Sequence, residues 1–131
     1  MEPYIIDLGK IGNASIGYLT VAEECGKVPF DIKRAYWTYN TPADIIRGHH
    51  AHKNSSQVIC ALNGKIVFEL EDRGGRKLEF ILDSPSIALY IPGGYWRTIK
   101  FTDGAVLLCL SSSEYNEDDY IRDYDEFKQA K

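Results

Sequence analysis

Apolar and polar residues alternate along the chain in short stretches, each closed by a turn signal. Tyr4 to Leu8 is an apolar run ahead of Gly9, and Tyr18 to Ala22 follows a turn marked by Gly12, Asn13 and Gly17. Phe30 to Tyr39 puts Phe30, Ile32, Arg34, Tyr36 and Thr38 on one face and Asp31, Lys33, Ala35, Trp37 and Tyr39 on the other. Both faces mix apolar bulk with polar tips, as in a strand packed on one side and lining a wet cavity on the other; parity does not choose between them. After the Thr41-Pro42 loop, Arg47 to His52 forms a further strand. Gln57 to Leu62 and Lys65 to Leu70 flank Asn63-Gly64, a pair suited to a type I′ hairpin turn, which needs positive φ at both central residues. Lys77 to Leu82, Ile87 to Ile91, Trp96 to Phe101 and Ala105 to Ser111 complete the series. From Ser113 the pattern changes. Glu114, Glu117, Asp118 and Asp119 precede Tyr120, Ile121, Tyr124 and Phe127 at helical spacing, which predicts one short acidic helix with a solvated charged face. Short strands separated by turn chemistry predict an all-β sandwich or barrel closed by that helix.

A length of 131 residues suits one domain over 1–131, with room for a substantial core. The net charge of -4 argues against a general nucleic-acid binder, whose surface would be basic. Cys25, Cys60 and Cys109 are widely spaced and odd in number, which predicts reduced thiols rather than a disulfide or metal set. The opening residues hold acids and a proline rather than a signal-peptide core, and no apolar run approaches the roughly 18 residues of a membrane span. The expected compartment is the cytoplasm, with no membrane partner.

The chemistry concentrates in Arg47-Gly48-His49-His50-Ala51-His52. Alternation puts His50 and His52 on one strand face, delivering two imidazoles to one cavity, and turns His49 the other way. The His-x-His pair, with Gln57 where an acid would follow and then Gly64, resembles the first signature of the cupins, antiparallel jelly-roll barrels that often hold a metal. Pro92-Gly93-Gly94-Tyr95-Trp96-Arg97 is similar to the second, with Arg97 where a third histidine ligand would stand. An amide is a poor substitute for a carboxylate and a guanidinium repels a cation, so the expected site is metal-free and cofactor-free.

Pro29 to Trp37, Arg47 to His52, Leu89-Tyr90-Ile91-Pro92 with Trp96, and Glu114 to Tyr124 together resemble the sugar 3,4-ketoisomerases, metal-independent cupins acting on dTDP-4-keto-6-deoxyglucose. The resemblance runs over nearly the whole chain. It implies a dTDP-linked 4-keto-6-deoxy sugar as substrate, a 3-keto-6-deoxyhexose product destined for a 3-amino sugar, and a homodimer with exchanged strands. One departure stands near the start: members often carry an arginine before the glycine of the turn that here reads Asn13-Ala14-Ser15-Ile16-Gly17-Tyr18.

Moving a ketone from C4 to C3 removes the C3 proton, acidified by the neighbouring carbonyl, and returns a proton to C4 of the enediol. Histidine, with an ordinary pKa of about 6.5, suits both directions of transfer. His50 and His52 are therefore the expected acid/base pair, with the carbon base undecided between them. Tyr36 or Tyr39 would donate a hydrogen bond to the enediolate oxygen. Arg34, Arg47 and Arg97 are the expected partners of the diphosphate, because guanidinium forks match phosphate oxygens. Trp37, Tyr95 and Trp96 are alternative faces for thymine. Two rival readings remain open: a 3,5-epimerase on the same substrate class, and a non-catalytic sugar-binding cupin module.

Overall fold

Alternating side chains build two facing antiparallel sheets in the computed structural model, which describes residues 1–24 and 26–130; Cys25 and Lys131 lie outside the described residues. The strands are β1 Tyr4–Asp7, β2 Ile11–Asn13, β3 Gly17–Leu19, β4 Arg34–Thr38, β5 Ile46–His52 and β6 Gln57–Asn63. They continue with β7 Ile66–Glu71, β8 Lys77–Leu82, β9 Ile87–Ile91, β10 Trp96–Phe101, β11 Val106–Ser111 and β12 Tyr120–Ile121. Helix α1, Tyr124–Gln129, follows. One sheet has the order β1-β9-β6-β11-β4, the other β12-β5-β10-β7-β8, and β2-β3 forms a separate hairpin. Interleaving of early and late strands in both sheets is the jelly-roll arrangement of a cupin.

Ile59, Ile66, Phe68, Leu70, Leu89, Ile91 and Phe101 fill the space between the sheets. Each large apolar side chain buried there contributes about 1.5–3 kcal/mol. Two smaller clusters cover outer faces. Val28, Phe30 and Ile32 lie with Val58, Ala88 and Tyr90 on the first sheet, while Phe127 of α1 packs on Ala51, Trp96 and Ile121 of the second. Glu71 fastens the helix, accepting from the Tyr124 hydroxyl at 2.6 Å and from Lys128 Nζ at 3.1 Å.

Four expectations are corrected. Only Arg34–Thr38 of the stretch from Phe30 to Tyr39 is a strand, because Phe30 and Ile32 are spent on the outer cluster. The turn region near Gly12 contains β2, and β3 ends at Leu19. At the β6–β7 turn only Gly64 has positive φ, +72°, so the turn is not type I′; Asn63 donates from Nδ2 to the Gly104 carbonyl instead. The acidic tail is not one helix. Glu117–Asp119 is a 3-10 turn, and Tyr120 and Ile121 pair with His52 and Ala51 of β5 before α1 begins at Tyr124, capped by the Asp123 carboxylate. Pairing to β5 satisfies backbone groups that a short helix would leave open at its end. Cys60 and Cys109 are free and buried. Among the described residues no helix is long and apolar enough to cross a membrane.

Candidate active site

Strand β5 carries one residue more than β10 opposes. Arg97 of β10 faces His50, yet the next residue, Thr98, faces Gly48, so His49 is the extra residue of a β-bulge. Gly48 and His49 have φ of +92° and +54°. A Cβ on Gly48 would come within 2.8 Å of the Arg97 carbonyl, so both the conformation and the space call for glycine. His49 is thrown outward, where its Nε2 lies 3.2 Å from the Ile46 carbonyl. The bulge also resets the alternation. Arg47 pairs with Ile99 and thereby shares the interior face of His50 and Arg97, where unbroken alternation would have sent it outside with His49.

His50 and His52 stand edge to face, ring centroids 5.2 Å apart. His50 donates from Nδ1 to the Gly48 carbonyl at 3.0 Å, because a carbonyl can only accept, and this leaves Nε2 with its lone pair. His52 donates from Nδ1 to Asp119 Oδ2 at 2.9 Å, and its Nε2 is buried without a partner. Asp119 is itself held by the Asn54 N–H at 2.7 Å and the Ser55 hydroxyl at 2.5 Å, while Ser55 also contacts the Ser113 hydroxyl. Tyr120 closes over the pair, its ring centroid 4.4 Å from His52 and 5.2 Å from His50.

Burial, and then the charge of Arg97, lower the His50 pKa to about 3 and that of His52 to about 4. Both rings are neutral bases near pH 7. Burial alone would raise the Asp119 carboxyl, but its bonds from Ser55, Asn54 and His52 hold it below the usual carboxylate value. On the facing sheet stand Tyr36 of β4 and Gln57 of β6, and Arg97 of β10, the cross-strand neighbour of His50, reaches across to Gln57. Arg97, almost fully buried, donates from Nη1 to Gln57 Oε1, and Gln57 donates from Nε2 to the Tyr36 oxygen at 2.9 Å. Nε and Nη2 of Arg97 have no partner. Burial, with Cys109 alongside, pushes the Tyr36 phenol above its ordinary value, so it stays a hydroxyl; burial likewise lifts the Cys109 thiol to about 11.

The cavity between these walls measures about 160 Å³ and includes Tyr36, Arg47, His50, Gln57, Arg97 and Arg122 in its lining. Pockets for drug-sized ligands run to about 300–1,000 Å³, so this one is small by comparison. His50 reaches the cavity wall, whereas His52, with no exposed surface, sits behind it against Tyr120. Arg47 and Arg122 stand at the rim, Arg122 paired with Glu117 and lying over the Tyr120 ring. Arg34 points inward but stops over the Tyr36 and Tyr115 rings, short of the lining.

Four aromatic candidates are not brought there. Trp37 occupies the outer face of β4 by the same alternation that turns Tyr36 inward, and Tyr39 lies just past the strand's end, each 60% exposed. Trp96 neighbours Arg97 on β10, so it faces outward and packs on Tyr124 and Phe127. Tyr95 lies in the core between the sheets. Asp119, Tyr120 and Arg122 are the site residues the sequence reading left out. Asp119 looked like one of several solvated acids, and only the β12–β5 pairing carries it to His52. No cluster of three or more His, Cys, Asp or Glu side chains poised for a metal occurs among the described residues.

Over residues 1–131 the sequence matches the family described as FdtA: WxcM-like, C-terminal. It is 41% identical over 130 residues to the TDP-4-oxo-6-deoxy-α-D-glucose-3,4-oxoisomerase of Aneurinibacillus thermoaerophilus, covering 98% of this chain and 92% of that protein. The sugar 3,4-ketoisomerase QdtA from Thermoanaerobacterium thermosaccharolyticum, solved in complex with TDP, is similar at a TM-score of 0.93 and 39% identity, over 97% of this chain and 92% of the other. A variant of that protein has been solved with TDP-4-keto-6-deoxyglucose. The TDP-quinovose 3,4-ketoisomerase WlaRB of Campylobacter jejuni is similar at a TM-score of 0.91 and 39% identity, covering 98% of each chain.

Proposed function

The chain belongs to the FdtA (WxcM-like, C-terminal) family, and on that premise we propose how its cavity performs the family's reaction. The chain is a TDP-sugar 3,4-ketoisomerase acting on a TDP-linked 4-keto-6-deoxyhexose. The observation that carries the reading is the pairing of a bare imidazole nitrogen, His50 Nε2, with a facing wall that presents hydrogens.

The C4 ketone faces the Tyr36 hydroxyl and the unpartnered N–H groups of Arg97. His50 Nε2 takes the C3 proton as negative charge moves onto the C4 oxygen, where Tyr36 and Arg97 stabilise it. The resulting enediol has oxygens at C3 and C4 and a double bond between the carbons. Return of a proton to C4, with loss of the hydroxyl proton at C3, leaves the ketone at C3. No atom is gained and no electron is lost to a second molecule. His52, kept in its Nδ1–H form by Asp119, backs His50 from behind the cavity wall.

A nucleotide too large for the cavity lies across its rim, where Arg47 and Arg122 meet the diphosphate and add to the charge that draws the substrate in. The product is a TDP-linked 3-keto-6-deoxyhexose, the substrate class for installing a 3-amino group. The chain works as a homodimer with exchanged strands. Supporting this, the β2–β3 hairpin leaves Ile11, Ile16, Tyr18 and Leu19 mostly exposed. The hairpin also borders an apolar hollow of about 420 Å³ on the first sheet, lined by Leu8, Leu62, Leu108 and Leu110 among others.

A proton NMR time course with TDP-4-keto-6-deoxyglucose in deuterated buffer tests the reading. A 3-keto sugar with solvent label confined to the C3–C4 region is the expected result. Label at C5 would favour the 3,5-epimerase, and saturable binding with an unchanged substrate would favour the binding module.

A further inference from the structure

The wall opposite His50 has a hydrogen-bond direction that its chemistry forces. A guanidinium has donors and no acceptor, so the Gln57 atom beside Arg97 Nη1 must be the amide oxygen. The amide nitrogen then faces Tyr36 and donates to its oxygen at 2.9 Å. An amide NH2 accepts nothing, so the Tyr36 hydrogen cannot point back at Gln57. It turns instead toward the thiol of Cys109 at the cavity lining, a weak acceptor that a substrate oxygen would outcompete. Gln57 is 1% exposed and Arg97 2%, so bulk water does not reverse the chain.

We propose that Gln57 is a positioning residue of the ketoisomerase reaction, which keeps Tyr36 a hydrogen-bond donor toward the substrate oxygen by offering it only N–H. A carboxylate at position 57 would satisfy Arg97 at least as well, yet it would capture the Tyr36 hydrogen and turn the hydroxyl away from the sugar. The amide is thus suited to the site by its lack of an acceptor on the Tyr36 side. The inference rests on the ketoisomerase reading above.

The test compares Gln57→Glu, Gln57→Met and Tyr36→Phe, each first shown to bind TDP and to keep the wild-type circular dichroism. Gln57→Glu is expected to lower kcat about 10²-fold, the scale for losing one donor at a developing oxyanion, with KM within about threefold. Gln57→Met offers only a weak thioether acceptor, leaves the hydroxyl free to face the sugar, and is expected to lose less than Gln57→Glu. In a Tyr36→Phe background, Gln57→Glu is expected to cost no more than about threefold further, because both changes remove the same hydrogen bond. Full additivity would overturn the proposal, since Gln57 would then act through the charge of Arg97. Loss in Gln57→Met greater than in Gln57→Glu would overturn it as well.

A second readout does not need turnover. The ζ-carbon NMR signal of Tyr36, identified by its absence in Tyr36→Phe, is expected to shift in Gln57→Glu as the phenol begins donating to a carboxylate. An unmoved signal overturns the positioning role. A shifted signal in a protein that never converts the keto sugar refutes the ketoisomerase reading instead.

Discussion

On the β5 side of the cavity, His50 and His52 hold nitrogen lone pairs, each with its other ring nitrogen tied to a fixed acceptor, Gly48 or Asp119. From Arg97, beside His50 on β10, across to Gln57 and Tyr36 on the facing sheet runs a chain in which every link gives a hydrogen. One physical effect serves both. Burial disfavours charge, and a histidine denied its charge is a base, whereas a tyrosine denied its charge is a donor. Arg97 is the exception that joins the walls: too basic to lose its proton, it pushes the imidazoles further toward neutrality and waits, with Nε and Nη2 unpartnered, for an anion.

The contrast breaks most severely at the base. His50→Asn is expected to lower kcat about 10²–10⁴-fold while leaving TDP binding intact, because in the proposed binding mode the nucleotide lies outside the cavity. NMR turnover with isothermal titration of TDP checks both halves; a variant that keeps its rate would move the carbon base to His52.

Asp119→Asn comes next, with an expected loss of about 10–100-fold in kcat, the range for removing a partner that orients a working histidine. The amide can accept from His52 Nδ1 but can equally turn its NH2 toward it, so the ring loses its enforced tautomer. Removing the carboxylate also removes the main influence raising His52, so its pKa falls further and the acid limb of the rate profile moves to lower pH. A pH–rate series reads the sign.

A last effect concerns stability and pH rather than rate. Folded His50 and His52 titrate near 3 and 4, the unfolded chain near about 6.5. Between those limits the unfolded state binds protons that the folded state refuses. The contribution is therefore fully present above about pH 6.5 and is lost as pH falls toward 4 and then 3, by about 1.4 kcal/mol per pH unit for each histidine. Urea midpoints at pH 7, 6 and 5 should fall accordingly, and His52→Asn should flatten the slope by about half.

Much of the fold was legible from local pattern. The boundaries expected for the strands at Lys77–Leu82, Ile87–Ile91 and Trp96–Phe101 are the observed ones, because alternation and flanking turn residues act within a few positions of each other. The tail was misread for the opposite reason. Tyr120 and Ile121 match helical spacing, but β5 offers an open edge far away in sequence, and no local propensity reports a distant partner.

The sequence by itself determined the chemistry available: two histidines two residues apart, an arginine and a glutamine in place of metal ligands, and a tyrosine on a neighbouring strand. It also determined an all-β sandwich or barrel, through short strands punctuated by turn residues, while the jelly roll itself was implied by the resemblance to cupins. Only the tertiary structure decided which of these meet. The bulge at His49 brings Arg47 inside, β12 carries Asp119 to His52, and the alternation of β4 and β10 takes Trp37 and Trp96 away from the cavity. Those outcomes depend on register against strands distant in the chain. A shift of one residue in such a pairing exchanges inside for outside without changing a single letter of the sequence.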